Sequence, residues 1–122
     1  MHAVFLDYKT VDANDLDLGS IKELLPEIVV HPFSNEAEVL ERIEDAEVVI
    51  ANKVVFDAQV FARAKKLKLI CVTATGTNNI DLEAATRSGV VVCNIRDYCT
   101  ESVVQHVLLS ILTLMHSFKD YS

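Results

Sequence analysis

Residues 67–94 read LKLICVTATGTNNIDLEAATRSGVVVCN. The stretch starts as an apolar run, 67–73, passes through a polar turn around Gly76, and resumes at Asp81. Asp81 can offer a side-chain oxygen to the unpaired N–H groups of a helix over 82–88. Gly89 follows at the position where helices commonly close on a left-handed residue. A second β-branched run, 90–94, comes next. Strand, helix and strand in immediate succession form one βαβ unit. Both runs are continuously apolar rather than alternating, the pattern of parallel strands covered on two faces. The stretch therefore predicts parallel pairing through a right-handed crossover.

The same alternation extends upstream. Apolar runs at 3–6, 28–30 and 47–51 are closed by Asp7, by Pro32 and by Asn52. Between them, Ser20 precedes a short helix through Leu25 that Pro26 stops. Asn35 and Glu38 have the capping-box spacing ahead of Val39, Leu40 and Ile43. Asp57 precedes Val60, Phe61 and Ala64 at helical spacing. Five strands alternating with helices predict an α/β domain with helices on both faces of a parallel sheet. The last helix differs from the others. With Thr100 as its N-cap it runs to about residue 118, and its apolar side chains from Val103 to Met115 cover roughly half the circumference. Leu109 falls outside that arc, and no Asp, Glu, Lys or Arg stands between Glu101 and Lys119. Such a helix expects cover on more than one side.

Composition narrows the function classes. The 122 residues suit one domain, half of them (51%) apolar and 24% charged. A net charge of −7 without a Lys/Arg cluster argues against nucleic acid and against an anionic membrane surface. The only glycines are Gly19, Gly76 and Gly89, so neither a G-x-G-x-x-G fingerprint nor a P-loop can be written. Cys71, Cys93 and Cys99 are odd in number and never spaced C-x-x-C, which fits reduced thiols in a cytoplasmic protein. Cys71 and Cys93 lie in apolar runs and read as small core residues. No basic segment followed by an apolar one opens the chain as a secretory leader would. Polar residues at 105, 106, 110, 113 and 116 break the longest uncharged stretch, which is not a membrane span.

The turn 73–81 sits where a strand's carboxyl end enters a helix, the edge at which open α/β sheets bind ligands. Gly76 permits close backbone approach, and the flanking N–H groups can hold an anion. The same residues also suit a plain tight turn in which Asp81 only caps a helix.

Three stretches carry a resemblance: 75–82 (TGTNNIDL), 89–94 (GVVVCN) and 98–106 (YCTESVVQH). Together they resemble the D-isomer-specific 2-hydroxyacid dehydrogenases, on the glycerate dehydrogenase and hydroxypyruvate reductase side of that family. The resemblance implies a flavodoxin-like substrate domain with strand order 2-1-3-4-5 over residues 1–99. It implies that 100–122 is an interdomain helix leading to an NAD-binding Rossmann domain absent from this sequence. The implied activity is oxidoreduction of a CH–OH donor, interconverting a small 2-keto acid and its D-2-hydroxy acid with NAD or NADP.

Carried over residue by residue, Thr75 and Gly76 would hold the substrate carboxylate through their backbone. Asn52 and Lys53 would line the same cleft, Tyr98 would face the substrate, and Thr100 would lie near the nicotinamide. Two positions depart from the family pattern. Arg96 and Asp97 stand where a proline and a glycine are usual before the tyrosine, and Val104 stands where an alanine is usual. The family's catalytic arginine and Glu-assisted histidine match nothing here, since His2, His31, His106 and His116 all lie outside that motif. The chain by itself is therefore expected to be inactive, and to self-associate through helix 100–118 as a homo-oligomer. Two other classes share the fold: a receiver module, which would need an aspartate where Asn52 stands, and a non-catalytic, corepressor-type relative that binds peptides.

Overall fold

The structure is a computed structural model and describes residues 1–116. The expected end of the last helix, 117–118, lies outside the described residues. In chain order the elements are β1 (Ala3–Phe5), α1 (Gly19–Leu24), β2 (Val29–Val30), α2 (Glu36–Ile43), β3 (Val48–Ala51), α3 (Ala58–Arg63), β4 (Leu69–Val72), α4 (Leu82–Arg87), β5 (Val91–Asn94) and α5 (Thr100–Met115). The five strands form one sheet in the order β2-β1-β3-β4-β5, every neighbouring pair parallel, as the sequence predicts.

Capping chemistry sets most helix starts. Asn35 accepts from the Glu38 amide at 3.0 Å while the Glu38 carboxylate accepts from the Asn35 amide at 2.8 Å, the complete capping box. Asp57 accepts from the amides of Gln59 and Val60, and Asp81 accepts from Ala84. At the end of α4, Gly89 adopts φ +71°; its amide donates to Thr86, and the Val90 amide reaches back to Ala85. That is the two-bond Schellman closure, which leads straight into β5.

Two starts differ from the expected ones. The first helix begins at Gly19, two residues before the expected start, with Leu18 as an N-cap that makes no side-chain bond, while the Asp17 carboxylate accepts the Gly19 amide at 2.8 Å. The last helix takes Cys99 as its N-cap, with no side-chain bond, and Thr100 is already helical.

The sheet's two faces are covered unequally. Val4, Val49, Ala51, Ile70 and Val72 point to one face, where they share a continuous core with Val39 and Ile43 of α2, Val60 and Phe61 of α3, and Ala84 and Ala85 of α4. On the other face Ala3, Phe5, Val48 and Ile50 are buried at the centre, with the Tyr8 ring edge-on to Phe5. Cover fails toward β5. Leu69 and Cys71 are half-buried, while their register partners Val91 and Cys93 are exposed. The continuous apolar reading of 90–94 thus overstates burial at the edge strand, and Cys93 is a surface thiol rather than a core residue. Burial, with Cys93 alongside, pushes the Cys71 thiol up from its ordinary value. No described residue of α5 is buried, so this helix leaves the body instead of closing over the open face.

Candidate functional site

The site is built where β1, β3 and β4 end. Asp7, directly after β1, is 3% exposed, and its carboxylate accepts the Asn52 amide at 2.9 and 3.1 Å and the Lys53 amide at 2.6 Å. The turn after β3 is thereby clamped to the strand beside it. Asn52 is buried too, and its Nδ2 donates to Thr10 Oγ1 at 3.0 Å. With its amide and its side chain both engaged, Asn52 serves as a brace under the turn. The Lys53 side chain stands exposed above it.

The turn after β4 is tied to the turn after β3. Asn79 Nδ2 donates to the Val54 carbonyl at 2.7 Å and reaches the Asn52 carbonyl at 3.4 Å. The Phe56 amide donates to the Asn79 carbonyl, and the Asp81 amide returns to the Phe56 carbonyl. From the other side, Asn94 at the end of β5 donates Nδ2 to the Thr75 carbonyl at 2.7 Å. Thr75 and Gly76 are exposed on this fixed rim. A Cβ at Gly76 would meet only Asn78 Oδ1, at 3.0 Å, the tip of an exposed side chain. Asn52, Lys53, Thr75 and Gly76 therefore share one edge of the sheet, at adjacent strand ends.

Tyr98 and Thr100 are placed differently. Tyr98 is 61% exposed and forms no hydrogen bond with other described residues, and Thr100 is exposed on the first turn of α5. The loop that leads to them holds Asp97 at φ +55°, the left-handed region that favours glycine. The backbone path that a glycine would take is thus kept by an aspartate. Val104, bulkier than the family's usual alanine, is 52% exposed.

Asp7, Thr10, Asn79 and Asn94 escaped the sequence reading. Asp7 was visible only as the charged residue that ends a central strand, and Asn94 only as the polar end of another. What they bond is set by strand order, which no local spacing reveals.

An open cleft of about 710 Å³ lies between α2 and α3, lined by Asn35, Leu40, Lys53, Val55, Asp57 and Val60 among others. It shares Lys53 with the strand-end site but reaches neither Thr75 nor Gly76. His31 follows β2, two strands from β3, and His106 is on α5, so neither is set beside these turns by the fold. Burial, and then the charge of Arg42, lower the His31 pKa from its ordinary 6.5. A dinucleotide cradle needs clustered glycines under its phosphates, and the one glycine turn here does not supply them. No described helix is long and apolar enough to cross a membrane.

Comparison with known proteins places these features in context. Residues 4–116 match the model of the D-isomer specific 2-hydroxyacid dehydrogenase catalytic domain. The glycerate dehydrogenase of Methylorubrum extorquens is 38% identical over 119 residues, covering 98% of this chain and 37% of that enzyme. The hydroxypyruvate reductase of Blautia hydrogenotrophica is 34% identical over 119 residues, covering 95% and 37%. Among solved structures, NAD+-bound 3-phosphoglycerate dehydrogenase from Entamoeba histolytica superposes with a TM-score of 0.67 at 30% identity, over 77% of this chain and 32% of that one. NAD-dependent formate dehydrogenase from Staphylococcus aureus shares the fold at TM-score 0.80 and 21% identity, over 98% and 40%. The chain spans about a third of the length of the curated relatives it matches.

Proposed function

The chain belongs to the D-isomer specific 2-hydroxyacid dehydrogenase family, through that family's catalytic domain, and we propose that it is the substrate-binding part of an NAD(P)-dependent oxidoreductase. In this reading it handles a small 2-keto acid of the hydroxypyruvate or glyoxylate kind and the corresponding D-2-hydroxy acid. The observation that carries it is the rigid rim at which two strand-end turns meet, bridged by Asn79 and anchored by Asp7 and Asn94. Backbone N–H groups at Thr75 and Gly76 would take the substrate carboxylate, as anion sites built from turn amides do. Lys53 would supply the nearby positive charge, with Asn52 supporting the turn beneath it. Tyr98 would close over the bound acid.

Thr100 would meet the nicotinamide edge of a cofactor held by a separate domain, a reading that rests on the greater length of the relatives. Orienting a keto acid and polarising its carbonyl calls for a cation and a proton donor of tuned pKa. Neither His31 nor His106 is set beside the rim to act as that proton donor. The reading also includes a cytoplasmic location, supported by three free thiols, and self-association through helix 100–118. A receiver function has no support, because Asn52 replaces the phosphoacceptor and is buried.

NADH oxidation with hydroxypyruvate tests the division of labour. The 122-residue chain alone should show none. Joined in frame to the dinucleotide domain of the Methylorubrum glycerate dehydrogenase, it should gain turnover that Lys53→Ala weakens. Turnover by the isolated chain, or a folded hybrid that binds NADH without turnover, would contradict the proposal.

A further inference from the structure

The two turns of the rim are anchored separately. Asp7 holds 52–53 from the β1 side, and Asn94 holds Thr75 from the β5 side. Two kinds of bond then run between the turns. One is backbone. The Phe56 amide donates to the Asn79 carbonyl and the Asp81 amide to the Phe56 carbonyl, each at 2.8 Å, a short parallel bridge at the buried Phe56. The other is the half-buried Asn79 side chain, whose Nδ2 donates to the Val54 carbonyl at 2.7 Å and more weakly to the Asn52 carbonyl at 3.4 Å. Among the described residues no other side chain of 74–81 hydrogen-bonds to 52–55. An amide nitrogen suits that place because it carries two N–H groups, one for each carbonyl, whereas a carboxylate of the same shape could only accept. The two carbonyls flank Lys53, so the Asn79 amide grips the segment that carries the cation.

We propose that Asn79 is a positioning residue of the acid site, its amide fixing the Lys53 turn against the 75–76 amides so that both act on one ligand. The proposal rests on the substrate-rim reading above and names what sets its selectivity. A 2-oxo or 2-hydroxy acid carries a carboxylate and a second oxygen on the next carbon. A simple carboxylate such as acetate carries only the first. Donors held at a fixed separation favour the two-oxygen class, because the cost of ordering the second donor is already met before the ligand arrives. With the link loosened, each donor still attracts an anion, but singly. The backbone bridge at Phe56 does not involve the Asn79 side chain, so removing that side chain frees the turn tips while the bridge holds the fold.

Titrations of the chain with oxalate, D-glycerate and acetate, followed by amide shifts at 52–53 and 75–79, test this in wild type, Asn79→Ala, Lys53→Ala and the double variant. Wild type should prefer oxalate over acetate by about tenfold or more. Asn79→Ala should cut that preference to about threefold or less, by weakening oxalate and leaving acetate nearly unchanged. The two substitutions should also be non-additive. Lys53→Ala weakens oxalate binding severalfold in wild type and far less in the Asn79→Ala background, as expected for coupled groups. Ile43→Val, a core change at the far end of α2, is the stability control and should keep the wild-type preference. Should Asn79→Ala lose its dispersed amide spectrum, Asn79→Ser, which keeps one shorter donor, is read in the same way. A wild type that binds oxalate and acetate alike, an Asn79 variant with unchanged preference, or one that loses both ligands equally would overturn the positioning role while leaving the rim reading standing. No saturable shift at either turn with any of the three acids in wild type would overturn both.

Discussion

Among the described residues only Asp7 and Asn52 are polar or charged and buried, and they are bonded to each other. Burying a carboxylate is unfavourable unless N–H groups replace its water, and here the amides of Asn52 and Lys53 do so. Asp7→Ala would strand those donors, each costing about 1–3 kcal/mol when buried. Urea unfolding of this variant should show a loss of about 3 kcal/mol, with an unchanged m-value and lost exchange protection at the 52 and 53 amides. The exposed Glu27→Ala should stay within about 0.5 kcal/mol of wild type, and an equally small change in Asp7→Ala would refute the clamp.

His31 supplies the pH dependence at this scale. Burial and the Arg42 charge hold its folded pKa below 6.5, so as pH falls past 6.5 the unfolded chain takes up the proton more readily. The stability that neutral His31 provides is present above that point and lost as pH drops through the folded value. Unfolding curves from pH 8 down to pH 5 should show this decline, and His31→Gln should flatten it. Identical slopes would remove His31 as the cause.

At the scale of elements, the capped helices were legible because the cap residue and the amides it serves are neighbours in sequence. Asn35 with Glu38, Asp57, Asp81 and the Gly89 closure each satisfy their partners within a few residues. The start of α5 was not legible in that way. Thr100 has the right side chain for an N-cap, but the turn at Asp97 brings Cys99 to the capping position, and a left-handed residue is invisible when it is not a glycine. Asp97 holds a conformation that costs an L-residue about 1 kcal/mol, less for Asp than for most. Asp97→Gly relieves that strain but frees the unfolded chain, so a net gain of roughly 0.5 kcal/mol is expected in thermal or urea unfolding. A clear loss would mean that the aspartate side chain contributes a bond of its own.

For the whole molecule, parallel pairing followed from the alternation of runs and helices through right-handed crossovers, and the strand order from the family resemblance. Burial did not follow so fully. Runs as apolar as 90–94 and 103–115 expect cover, yet cover depends on what packs against them, and β5 and α5 stand uncovered here. The site was legible in half. Thr75, Gly76, Asn52 and Lys53 converge because β3 and β4 are adjacent, whereas the supports at Asp7, Thr10 and Asn94 act through side-chain bonds from the neighbouring β1 and β5 sides, which leave no spacing signal.

The central claim is that the strand-end rim takes a small 2-oxo or 2-hydroxy acid, and amide chemical-shift mapping with oxalate and D-glycerate addresses it directly. Saturable shifts confined to 52–53 and 75–79, weakened in Lys53→Ala and absent with a simple alcohol, are the predicted result. No shifts at millimolar ligand, or shifts confined to the cleft between α2 and α3 with the 75–79 turn silent, would contradict it.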